Sequence, residues 1–189
     1  TVQQLFNLRG KVALVTGASG YLGSRLGQAL AEAGAAVVVS SRDAERAAAA
    51  AAALPAATGV EHHAVVLDQM DEGSLRHGFQ ESTERAGRID VLVNNGHEAV
   101  ARDWTDVTAE QCSRQLANAT GYFLLSRLVR EHAVQRGAPA SVIMLGSMYG
   151  LVGSYPDAYE GICPASPVAY HTLKGGIVHL TRHLAVYWA

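Results

Sequence analysis

Charge is scarce in this sequence. Asp, Glu, Lys and Arg make up 17% of the 189 residues, and 15 basic against 17 acidic side chains leave a formal net charge of −2. That balance argues against a basic nucleic-acid face or a polybasic membrane-binding face, and 49% hydrophobic residues argue against disorder. Cysteine is scarcer still. Cys112 and Cys163 have no metal-ligand spacing and suggest no disulfide framework, so a reducing cytoplasm is the expected compartment. Long apolar runs are missing, and Thr1 to Lys11 lacks the charged-then-apolar layout of a signal peptide; no membrane segment is expected. What is present suffices for one sizeable core, and a single domain over residues 1–189 is the expectation.

Short apolar runs alternate with helical stretches along the chain. Lys11 to Val15 reads as a buried strand, and Ala35 to Ser40, Ala64 to Leu67, Val91 to Val93 and Ser141 to Leu145 as four more strands, their runs apolar on both sides. Leu22 to Ala33, Ala44 to Leu54, Glu72 to Ala86 and Ala109 to Val134 read as helices, as does the segment holding Tyr170 and running to the chain end. The Ala47–Ala53 run is a plain surface helix, since Ala is the best helix former. This alternation predicts an α/β protein, a parallel sheet covered on both faces.

Two stretches carry chemistry. Thr16-Gly17-Ala18-Ser19-Gly20-Tyr21-Leu22-Gly23 follows the first strand and opens the first helix. Its glycines permit a tight turn and close backbone approach to a diphosphate, and the helix N-terminus offers free N–H groups. At the end of the second strand, Ser41 stands where an acidic residue would bond ribose hydroxyls, and Arg42 can pair with a 2′-phosphate. That pattern favours NADP(H), with NAD(H) possible. Tyr170 and Lys174 lie four residues apart, which on a helix puts their Cβ atoms roughly 5–6 Å apart on one face. A free phenol has a pKa of about 10, and an ammonium about 4 Å away favours the phenolate by roughly 4 kcal/mol at an effective dielectric near 20. The pair reads as a tuned proton donor.

Together these stretches resemble the short-chain dehydrogenase/reductase family, from about Leu8 to Ala189. Lys11 to Gly23 looks like its opening strand and glycine turn, and Asp68, with Gln69 after it, like its adenine-contacting Asp. Asn94-Asn95-Gly96 looks like its fourth-strand signature. Asn118, Ser147, Tyr170 and Lys174 match its catalytic tetrad in order. The resemblance implies a Rossmann-type, doubly wound, three-layer α/β/α fold and a hydride exchange between NAD(P) and a secondary alcohol or ketone. Tyr170 would protonate the carbonyl oxygen, and Lys174 would lower the Tyr pKa and bond the nicotinamide ribose. Ser147 would polarise the carbonyl, and Asn118 would anchor a water. It also implies a homodimer or homotetramer built on the two long helices.

Four departures accompany the match. The glycine turn is spaced Gly-xx-Gly-xx-Gly, as in the family's extended, sugar-nucleotide branch. Gly96-His97 replaces the small residue of the Asn-Asn signature, bringing His97 and Glu98 near the cofactor. Ser147 and Tyr170 are 23 positions apart, a longer gap than the short form has. The extra residues, among Leu151 to Pro167, predict an ordered loop over the catalytic mouth, in which Asp157, Tyr159 and Glu160 are candidates for bonding a hydroxyl-rich substrate. Finally, the chain stops at Ala189, before the family's last two strands, so the fifth strand is expected to form an apolar edge. An NADP-dependent alcohol dehydrogenase or ketoreductase is the leading reading, with a sugar or other polyol as the candidate substrate. An extended-type epimerase or dehydratase, or a non-catalytic cofactor-binding fragment, are the alternatives. His179 and His183 share a helix face but lack a third ligand, and no metal is expected.

Overall fold

Four- to six-residue runs rich in Val, Leu and Ala make the sheet, because β-branched side chains fit a pleated surface buried on both faces. The strands are β1 (Val12–Val15), β2 (Ala36–Ser41), β3 (His63–Val66), β4 (Val91–Asn94) and β5 (Ser141–Met144), in the order β3-β2-β1-β4-β5. β1 pairs in parallel with β2 and β4, in the register Val12↔Ala36 and Ala13↔Val91, and β2 pairs in parallel with β3. This computed structural model describes residues 1–100, 106–162 and 167–189. They form two compact units: Thr1–Gly96 with Gly121–Ile143, and His97–Thr120 with Met144–Ala189.

The first unit is the α/β layer structure. Its helices are α1 (Val2–Leu5), α2 (Tyr21–Glu32), α3 (Ala44–Ala52), α4 (Glu72–Ala86) and the second half of α5 (Ala109–Arg136). Leu14, Val38 and Leu92 pack with Leu75 and Phe79 of α4 and Leu125 of α5 in one apolar core. Residues alternate across a strand, so Val37 and Val39 face the opposite side. There a Cβ added at Gly27 of α2 would lie 4.0 Å from Val37 and 3.6 Å from Leu54, just past α3. Three layers result. Caps set the helix ends: Asp43 and Asp71 accept N–H bonds from Arg46 and Ser74, each worth about 1 kcal/mol, and Gly87 closes α4 at φ 75°.

The chain leaves β1 towards β2 and β3, then returns to its other side for β4 and β5. Such a reversal opens a crevice at the carboxyl ends of β1 and β4, where Thr16-Gly17 and Asn95-Gly96 lie. Among the described residues β5 stands last in the strand order, with Ile143 47% exposed.

The second unit holds the first half of α5, α6 (Val168–Tyr187) and two short 3-10 helices, Met148–Gly150 and Pro156–Tyr159. Neither the 3-10 helices nor α1 was foreseen, because pieces of three or four residues show no full period. Among the described residues, no helix is long and apolar enough to cross a membrane.

Candidate active site

In the first unit the glycine turn is defined by side chains that are not there. Gly17 has φ 61°, and a Cβ on it would sit 2.8 Å from Gly96 Cα. A Cβ at Gly23 would come 2.2 Å from the Gly17 carbonyl oxygen, so α2 packs on the turn only because residue 23 is Gly. Asn95 locks the arrangement: its Nδ2 donates to the carbonyls of Thr16 (2.9 Å) and Gly17 (3.3 Å). The Asn95 and Gly96 N–H groups both donate to Thr16 Oγ1, at 2.9 and 2.8 Å. Asn94 is buried and donates to Ser126 Oγ (3.0 Å) and the Tyr122 carbonyl, pinning β4 to α5. Gly121 admits the Gln69 backbone, since a Cβ there would lie 2.3 Å from the Gln69 carbonyl. Asp68 takes the Met70 N–H at 2.9 Å.

The other residues of the turn are placed to meet a ligand. Gly20, the N-cap of α2, offers no side-chain acceptor to the first-turn N–H groups, and Tyr21 and Leu22 beside it are exposed. An uncapped helix start with a positive dipole end suits an anion, so these residues fit a dinucleotide's diphosphate. Ser19 Oγ donates to Ser41 Oγ at 3.2 Å, bringing the turn to the end of β2, and Arg42 follows on the surface.

The second unit brings the protic groups together. Tyr170 and Lys174 occupy one face of the start of α6, with the ammonium 5.6 Å from the phenol ring centroid. Lys174 is buried and donates to the Leu145 carbonyl, at the end of β5, at 2.5 Å. Desolvation pulls its pKa below the ordinary lysine value. Ser147 caps the first 3-10 helix, its Oγ accepting the Tyr149 N–H at 3.1 Å, which leaves the hydroxyl proton to donate. Gly150 closes that helix against α6, where a Cβ would lie 2.6 Å from the Lys174 carbonyl oxygen.

Asn118, fully buried, spends its side chain on backbone. Its Oδ1 accepts the Glu98 N–H (2.9 Å), and its Nδ2 donates to the carbonyls of Glu98 (3.0 Å) and Gln115 (2.9 Å). It thereby straps the segment after Gly96 to α5. Two residues missed by the sequence reading share this task. Gln115 bonds the Val100 N–H and the His97 ring, and Arg114 forms a forked ion pair with Glu98 at 2.6 and 3.0 Å. Their signal was available: residues 115 and 118 are one helical turn apart and share a face. His97 stands edge-on to the Tyr170 ring, with centroids 5.5 Å apart.

In the long loop, Asp157 and Glu160 are exposed and Tyr159 is half-buried; Cys163 lies outside the described residues. His183 stacks on Tyr187, and no cluster of three metal-ligating side chains occurs among the described residues.

The short chain dehydrogenase family model matches residues 11–189. The chain belongs to this family. It is 30% identical to the 3-oxoacyl-(acyl-carrier-protein) reductase of Aquifex aeolicus, covering 94% of this chain and 68% of that one. It is 34% identical to galactitol 2-dehydrogenase of Rhizobium johnstonii, covering 99% and 69%. Among solved structures, gluconate 5-dehydrogenase of Burkholderia cenocepacia in complex with NADP and tartrate superposes with a TM-score of 0.85 at 26% identity, covering 100% of this chain and 69% of that one. The chain thus spans about two thirds of the length of these relatives. As a family member it is an oxidoreductase of hydroxyl or keto groups.

Proposed function

We propose that this protein interconverts a secondary alcohol and a ketone, with Tyr170 as the proton donor and acceptor. The observation that carries the reading is the buried Lys174, fixed by the Leu145 carbonyl on the same helix face as Tyr170. A buried ammonium has a desolvation cost that is hard to rationalise as scaffold, and it is typical of a group that tunes a neighbour or holds a ligand. In the reducing direction Tyr170 gives its proton to the carbonyl oxygen, while the Ser147 hydroxyl donates to the same oxygen and polarises it. Lys174 supports Tyr170 and holds the nicotinamide ribose. Asn118 positions the segment carrying His97 and Glu98, and anchors a water of the proton relay. The nicotinamide cofactor supplies or takes the hydride when bound.

Gly17, Ser19, Gly20, Tyr21, Leu22 and Gly23 form the diphosphate cradle in this reading. Asp68, Gln69, Asn94, Asn95 and Gly96 shape the adenosine and ribose side. Ser41 and Arg42 favour the 2′-phosphate of NADP over NAD. The NADP complex of the gluconate 5-dehydrogenase supports that choice, and the galactitol dehydrogenase supports a sugar or polyol as substrate. Exposed Val134 on α5, with Val186 and Tyr187 on α6, supports a homo-oligomer built on these helices. The deciding experiment follows NADPH formation with a panel of polyols, sugar acids and simple secondary alcohols, using the full-length protein. Turnover that requires Tyr170 upholds the reading. Sugar-nucleotide epimerisation without net NADPH formation would replace it.

A further inference from the structure

The two ring nitrogens of His97 are told apart by their surroundings. The Val100 N–H donates to Gln115 Oε1 at 2.6 Å, which fixes the orientation of the Gln115 amide. Gln115 Nε2, 3.1 Å from His97 Nε2, is therefore turned to the ring as a donor. His97 Nε2 must accept, so Nδ1 carries the hydrogen. That Nδ1 is sealed from solvent and has no hydrogen-bond partner among the described residues. Buried donors are nearly always paired, and one left over beside a candidate catalytic group calls for a ligand's acceptor. The ring meets Tyr170 edge to face, at 82°. Burial first, then the Lys174 ammonium, hold the His97 pKa down to about 4 against the pull of Glu98, so the imidazole is neutral at physiological pH.

We propose that His97 is a specificity residue: its Nδ1–H donates to a second oxygen of the substrate, a hydroxyl or carbonyl oxygen a few bonds from the reacting carbon. The proposal rests on the reading of Tyr170 as proton donor. The two rings are in contact, with centroids 5.5 Å apart, so a substrate oxygen that reaches Nδ1, which is closed to solvent in this structure, would lie beside the Tyr170 ring. The donor is a neutral imidazole N–H, so a hydroxyl or carbonyl oxygen of a neutral polyol or hydroxyketone suffices as its acceptor. A site with a buried donor to satisfy also discriminates against an alcohol lacking that oxygen.

The test uses the full-length protein with NADP, comparing galactitol or mannitol with cyclohexanol, which has no second oxygen. His97→Phe keeps a ring against Tyr170 and removes the N–H; His97→Asn returns an N–H near the Nδ1 position. His97→Phe should raise KM for the polyol about tenfold to a hundredfold. It should leave cyclohexanol oxidation and NADPH affinity unchanged, and His97→Asn should recover most of the loss. In ¹⁵N NMR of the wild-type NADP complex, the His97 Nδ1–H resonance should move on adding the polyol and stay put with cyclohexanol. Equal losses for both alcohols, a loss in NADPH affinity, an unmoved polyol KM or an unmoved resonance overturns the proposal. A wild type that oxidises cyclohexanol but no polyol also overturns it, and leaves Tyr170 standing. Turnover retained in Tyr170→Phe would instead bring down the underlying reading.

Discussion

The two compact units use buried polar groups in opposite ways. In the first, Asn94 and Asn95 spend their amide donors on carbonyls and a hydroxyl, and Gly17, Gly23 and Gly96 contribute by having no side chain. The second buries the Lys174 ammonium on the Leu145 carbonyl and sets the His97 ring against Tyr170, with Gln115 on the His97 ring and Asn118 on the Glu98 backbone beside it. In the proposed function, the cofactor cradle is specified by close backbone contact, which tolerates no added atom. The proposed reaction chemistry is specified by a few protic atoms, which tolerate isosteric change in everything but the proton.

The strongest test of that contrast is Tyr170→Phe, which removes one oxygen and leaves the ring packed on His97. The turnover number should fall about 10³-fold, within the range for loss of a general acid, with the NADPH dissociation constant and the melting temperature kept. Stopped-flow turnover and fluorescence titration read the two quantities separately. A parallel loss of cofactor affinity would break the contrast.

Gly23→Ala is its converse. A Cβ 2.2 Å from the Gly17 carbonyl oxygen forces the turn and α2 apart. The expected cost is about 1–3 kcal/mol in urea denaturation, with weakened NADPH binding. At saturating NADPH the turnover number of the folded fraction should stay near wild type. A lowered turnover number with intact binding would count against the assignment of this turn.

Local rules made most of the scaffold legible. The α4 bounds, Glu72 to Ala86, emerge as read, because Asp71 caps one end and Gly87 ends the other. Strand ends differ by a residue, since apolar runs and hydrogen-bond ladders need not stop together. Tyr170 and Lys174 share a helix face because their spacing requires it. What could not be read are bonds spanning many residues: Glu98 with Arg114, His97 with Gln115, Lys174 with the Leu145 carbonyl. Each depends on which loop meets which helix, and no local pattern encodes that. Asn118 shows the same limit, for the reading as a water anchor gave no hint that its amide clasps the Glu98 backbone.

Acid separates the units by a smaller amount. His97 is held neutral in the folded chain, so the unfolded chain takes up protons first as pH falls below about 6.5. Stability from this group should decline between pH 6.5 and about 4, by about 1–2 kcal/mol after allowance for its partial exposure. His132 of the first unit is also lowered, by burial and then Arg136, against the pull of Asp90, and loses stability in the same sense. Burial alone would raise the Asp90 pKa, but the Val12 N–H and the Arg88 and Arg136 guanidinium groups outweigh it and leave it lowered. Its contribution is full above pH 3.8 and disappears only as pH falls below that, through the lowered folded value. Urea midpoints measured against pH should therefore fall less steeply above pH 4 in His97→Asn, where the His132 contribution remains, while the fall below pH 4 persists. Unchanged steepness above pH 4 would show that His97 titrates normally.

The smallest expected effect concerns Arg42, which lies on the surface just past β2. A guanidinium there can fork onto a 2′-phosphate, but water and salt screen an exposed pair to about 1 kcal/mol. Arg42→Ala should therefore weaken NADP binding only about five- to tenfold at low ionic strength. NAD has no 2′-phosphate, so its affinity should hardly change. Adding salt should narrow the gap between wild type and variant for NADP and leave NAD where it was. Fluorescence titrations of both cofactors at two ionic strengths provide all four comparisons. Equal losses for the two cofactors would mean that Arg42 supports the end of β2 and does not read the phosphate. Any preference for NADP would then rest on Ser41, whose hydroxyl is already tied to Ser19 and to the Asp43 N–H inside the first unit.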